Sequence, residues 1–79
     1  MTKQDFANTT MNLRKGDRVR LRLREGFFKA AENFDGSFTG RIFQTGPGLI
    51  ALAVKREGLR WFTFYPVESI TLLAREVAA

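Results

Sequence analysis

Arg18, Arg20, Arg22 and Arg24 stand at every second position of RVRLRLR, with Val19, Leu21 and Leu23 between them. A guanidinium group stays charged at any working pH and grips phosphate oxygens two at a time. On an extended strand, alternate side chains emerge on one side about 6.5–7 Å apart. That spacing lets successive guanidiniums meet successive phosphates of an extended polyanion. Arg14 and Lys15 precede the row, and Arg41 in a neighbouring segment extends it.

The formal net charge is +5, and its placement matters more than its size. Residues 14 to 24 hold six basic residues and one acid, while the rest of the chain balances seven against seven. A basic stripe on a neutral body attracts nucleic acid, an acidic protein face or anionic lipid. Two other readings of the row stay open: the solvated or salt-bridged outer side of a strand, and a patch that faces a protein. Four outward positions of one sign exceed what an exterior strand side requires, so the phosphate grip leads.

A second set is apolar: Phe43, Leu49, Ala51, Ala53, Trp61 and Tyr65. If the strands that carry them pair in sequence order, they share one outward face. Such a face is a stacking platform for bases, a contact between copies of the chain, or a surface covered by another part of it. Ala51 and Ala53 would permit close packing between copies.

Catalysis finds no support in the residue types. The chain has no Cys and no His, which excludes disulfides, thiolate or imidazole metal sites, and Ser-His or Cys-His nucleophiles. Its acids fall mostly in turn-like stretches without paired spacing. Ser37 and Ser69 lack a histidine base. Thr45-Gly46-Pro47-Gly48 lacks the Lys-Ser/Thr of a phosphate loop. No catalytic residue, cofactor or metal site is expected. No apolar run reaches the roughly 20 residues of a membrane span. MTKQDFANTTMN lacks the apolar centre of a secretory signal. The expected location is therefore the cytoplasm, and Asn8-Thr9-Thr10 is a chance glycosylation sequon.

The elements that position these residues follow from periodicity. The chain has 79 residues, enough for one small domain. Residues 1–12 show no clear period and are expected as a flexible tail, with at most a helical turn near Phe6. A β domain over 13–74 and a short tail over 75–79 follow. Strict alternation marks a strand over 18–24. Residues 25–36 form a long loop; its rings fold down onto the core, and Phe27, Ala31 and Phe34 share a helical spacing. Further strands are expected over 37–44, 49–56 and 59–65. Pro66 ends the last of these. A helical turn over 66–69, capped by Glu68, leads into a fifth strand, Ile70 to Leu73. Gly40 in mid-strand marks a bend or a close backbone approach. The fold class is all-β, a single five-stranded small barrel.

KGDRVRL at the start, GSFTGRI after the loop and FYPVESI at the end resemble the SH3-like barrel over residues 14 to 73. GSFTGRI, IALAV and FYPVESI also resemble the Sm-like family, bacterial Hfq included, whose members form RNA-binding rings. The Lys-His pair that Hfq carries after its turn tyrosine is Pro66-Val67 here. KGDRVR, GRIF and FTFYPVESI are similar to segments of the plasmid-borne type II dihydrofolate reductases, which are SH3-like tetramers. The glutamine of their active-site tetrapeptide is Thr63 in this chain, so the reductase activity is not implied.

The leading functional expectation is a nucleic-acid-binding module, a regulator of the kind carried by a phage or mobile element. Its alternative is a protein-interaction or homo-oligomerising adaptor.

Overall fold

The computed structural model describes residues 1–29 and 34–75. The chain runs α1 (Lys3–Asn12), β1 (Arg18–Leu23), β2 (Ser37–Gly46), β3 (Leu49–Val54), β4 (Gly58–Thr63) and β5 (Val67–Ala74). The strands form one antiparallel sheet in the order β4-β3-β2-β1-β5. β1 thus lies in the interior of the sheet, with Arg20 opposite Thr39 on one side and Thr71 on the other.

One core serves all five strands. Val19, Leu21 and Leu23 of β1 meet Ile42, Ile50, Leu52, Phe62 and Val67 from the others. In a flat sheet β4 and β5 would lie about 19 Å apart, four strand spacings. Phe62 and Val67 join one cluster because the sheet curls, as a small β-barrel does. Two irregularities help it bend. β2 carries an extra residue between Ile42 and Gln44, and Gly40 lets β2 and β3 approach closely. A Cβ at Gly40 would lie 2.5 Å from the Ala53 carbonyl oxygen.

The expected tail over residues 1–12 is corrected by α1, which is a full structural element. Thr2 caps it: its side chain accepts from the Asp5 N–H at 3.1 Å, and the Asp5 carboxylate accepts from the Thr2 N–H at 3.1 Å. This reciprocal pair satisfies donors that a helix start leaves open. Phe6, Thr10 and Leu13, spaced as on one helical face, are buried. Phe6 enters the core and its ring lies 6.1 Å from that of Phe64.

The helical turn expected over 66–69 is a tighter turn over residues 64–66, closed by the Val67 N–H donating to the Phe64 carbonyl. Val67, Glu68 and Ser69 already belong to β5. The loop after β1 folds onto the core as its rings suggested: Phe28 and Phe34 pack edge to face at 5.8 Å, and Phe34 leads on through Phe38 to Phe62. Phe27 turns outward instead. Ala31, part of the helical spacing expected there, lies outside the described residues, as does the C-terminal stretch 76–79. Among the described residues no helix is long and apolar enough to cross a membrane.

Candidate nucleic-acid interface

Burial along β1 alternates strictly, with Val19, Leu21 and Leu23 inside and Arg18, Arg20 and Arg22 exposed. The inward residues fix the register, and the register fixes the arginines on the outer face. Their cross-strand neighbours are Arg41, Thr39 and Ser37 on β2, and Ala74, Thr71 and Ser69 on β5. Hydroxyl-bearing residues therefore flank Arg20 and Arg22 on both sides. Among the described residues, Arg18 and Arg20 have no carboxylate within 4.0 Å.

Arg22 does have one. β5 carries an extra residue where Arg22 gives way to Leu23, because Arg22 pairs with Ser69 and Leu23 with Val67. That residue is Glu68, whose Oε2 lies 3.3 Å from Arg22 Nε. Glu68 thus pairs with the row rather than capping a turn. Both side chains are 56 % exposed, and such a pair contributes only about 0–1 kcal/mol.

Arg24 leaves the row. It sits one residue past β1, half-buried, and its guanidinium turns back over the molecule. Nε donates to the Val67 carbonyl at 3.0 Å and Nη2 to the Met1 carbonyl at 3.1 Å. The guanidinium carbon stands 4.6 Å from the Phe64 ring centroid. Arg24 joins the start of the chain to the turn before β5, so three arginines of the row face solvent.

At the other end the basic surface widens. Arg41 is exposed beside Arg18, and its Nη1 donates to the Gly16 carbonyl at 3.1 Å. Lys15 places its ammonium 5.0 Å from the Phe43 ring centroid. Arg14 is exposed in the preceding turn, which Asp17 organises. Asp17 is almost fully buried, 2 % exposed. Its carboxylate accepts from the Arg14 N–H at 2.9 Å and from Arg75 Nε and Nη2 at 3.3 and 3.2 Å. The Arg75 hydrogen bonds hold the Asp17 carboxyl below its ordinary pKa of 3.8, against the opposing effect of burial. Lys-Gly-Asp alone carries no signal for this pairing, because the partner lies 58 residues away.

The apolar set divides. Phe43 and Trp61 are about half exposed. Trp61 pairs with Ala51, which pairs with Gln44 beside Phe43. Ala53 is exposed next to Arg41, and Leu59 follows it on β4. Leu49 is half-buried, and Ala51 is fully buried and offers no surface for docking. Tyr65 departs altogether. It lies in the turn after β4, 73 % exposed, with its ring 6.0 Å from Phe27. The outer face therefore runs from Trp61 and Leu59 across Ala53 to Arg41 and the β1 arginines. No protein-family model matches this chain, and no characterised protein or solved structure matches it either.

Proposed function

We propose that the protein binds nucleic acid through its phosphate backbone, with Arg18, Arg20 and Arg22 as the central contacts. Arg41, Lys15 and Arg14 extend the surface at one end. The observation that carries this reading is the β1 row itself: exposed guanidiniums at alternate positions of an interior strand, with Ser and Thr on both sides of Arg20 and Arg22. An interior strand cannot lend its backbone to a partner, so what it offers outward is its side chains. Phosphate contacts of this kind position a strand without reading its sequence. Phe43 and Trp61 add rings on which bases of a single strand can stack. The barrel suits an SH3-like reading, and the regulator of a phage or mobile element remains the biological setting proposed for it.

The test is equilibrium binding of labelled single-stranded RNA, single-stranded DNA, duplex DNA and polyglutamate at one low salt concentration. Binding that follows phosphate and spares polyglutamate supports the reading. Preference for polyglutamate favours an acidic protein face.

A specific observation favours a second reading, the homo-oligomerising adaptor. Both edge strands carry exposed large apolar residues, Leu59 and Trp61 on β4 and Leu72 and Leu73 on β5. Edge strands also present unpaired backbone groups to a second chain. Light scattering across a range of concentrations tests it: a defined assembly supports contact through these edges, and a monomer throughout opposes it.

A further inference from the structure

Where the arginine row meets the aromatic half of the outer face, the surface sinks into an open depression of about 420 Å³. Arg18, Arg41 and Lys55 line it, with Thr39 beside them and Gly40 and Ala53 among its other lining residues. Among the described residues no acidic one does so. Gly40 lets β2 and β3 approach closely beneath it, and the Arg18–Arg41 register pair brings two guanidinium-bearing residues to adjacent strands. Arg41 is already held by its hydrogen bond to Gly16, so less freedom is lost when it meets an anion.

We propose that this depression is a subsite for a terminal phosphate group, which fixes the end of a bound strand. The argument is one of charge density. Along β1 the row supplies one cation per about 6.5–7 Å, which suits the single negative charge of each internal phosphodiester. Around the depression three cations share one space. A phosphomonoester carries about −1.5 to −2 at neutral pH and three acceptor oxygens, so it gains more from that arrangement than a phosphodiester does. A strand anchored there by its end would continue along Arg20 and Arg22.

This subsite deepens the nucleic-acid reading and rests on it for the longer ligand, so the experiment has two arms. The first compares one single-stranded oligonucleotide bearing a 5′-phosphate, a 3′-phosphate or hydroxyls at both ends. One phosphorylated form should bind about fivefold or more tightly than the hydroxyl form, and the preference should vanish in Arg41→Gln and in Lys55→Gln. Lys55 is exposed in a turn, so its substitution separates loss of the subsite from loss of the fold. The second arm uses inorganic phosphate against chloride at equal ionic strength and follows backbone amide shifts. Shifts centred on Gly40, Arg41 and Ala53 in the parent, and absent in Lys55→Gln, support the subsite even if no oligonucleotide binds. Equal binding of all three oligonucleotides, a preference that survives both substitutions, or phosphate shifts absent or spread evenly over the row would overturn it.

Discussion

The Arg24 guanidinium lies over the Phe64 ring, 4.6 Å from its centroid, while the same group donates to the carbonyls of Val67 and Met1. The last member of a row of four is therefore part of the framework. Arg24→Ser should lower stability by about 1–2 kcal/mol, from a cation–π contact and two charge-assisted hydrogen bonds. Arg20→Ser should do the reverse: little change in melting temperature and a clear loss of nucleic-acid affinity. Thermal melting and binding of the two variants, side by side, check this division.

Asp17 and Arg75 give the fold a pH dependence. The folded Asp17 carboxyl titrates below its ordinary value of 3.8, chiefly through the Arg75 hydrogen bonds. Its contribution is then complete above about pH 4 and is lost as pH falls through the folded pKa. Asp17→Asn should cost about 1–3 kcal/mol at neutral pH, because a buried, charge-assisted pair is broken. It should also flatten the decline in stability below pH 4. Denaturant unfolding of both proteins between pH 2.5 and 7 tests both expectations.

The parts of the molecule legible in its sequence are those set by local pattern. Val19, Leu21 and Leu23 alternate with arginines, and that alternation alone places Arg18, Arg20 and Arg22 outside. Gly40, conspicuous in mid-strand, does mark a close approach of two strands. What escaped depends on distant partners. Arg24 matches the row in spacing, yet Phe64, Val67 and Met1 draw it away. Tyr65 continues the alternation of β4 on paper, but the strand ends at Thr63 and the turn carries Tyr65 towards Phe27. Ala51 has the right parity for the outer face, yet it is fully buried where β2 has its extra residue. The helix left a readable signal in Thr2-x-x-Asp5 and the Phe6, Thr10, Leu13 spacing, obscured by its polar remainder.

That helix should be integral to the fold. Phe6 is fully buried and joins the same cluster as the five strands. Phe6→Ala should destabilise by about 3–5 kcal/mol, the usual cost of emptying a buried phenylalanine site. Chemical denaturation measures the loss. A cost near zero would mean that α1 is dispensable to the sheet and its core.

Glu68 competes with any anion for Arg22. Glu68→Gln removes a weak, exposed ion pair and one negative charge beside the row. Stability should change by less than about 1 kcal/mol, and affinity for single-stranded nucleic acid should rise several-fold at low salt. Titration of parent and variant under the same conditions decides it.

The central claim is that the exposed β1 arginines hold phosphates. Its most direct test is fluorescence anisotropy of a labelled single-stranded oligonucleotide over a series of salt concentrations, for the parent and for Arg18→Ser/Arg20→Ser. Three phosphate contacts give a log–log salt slope of about −2, and removing two should leave about a third of it with a large loss of affinity. No binding by the parent at low salt, or a variant with the parent's affinity and slope, would contradict the account.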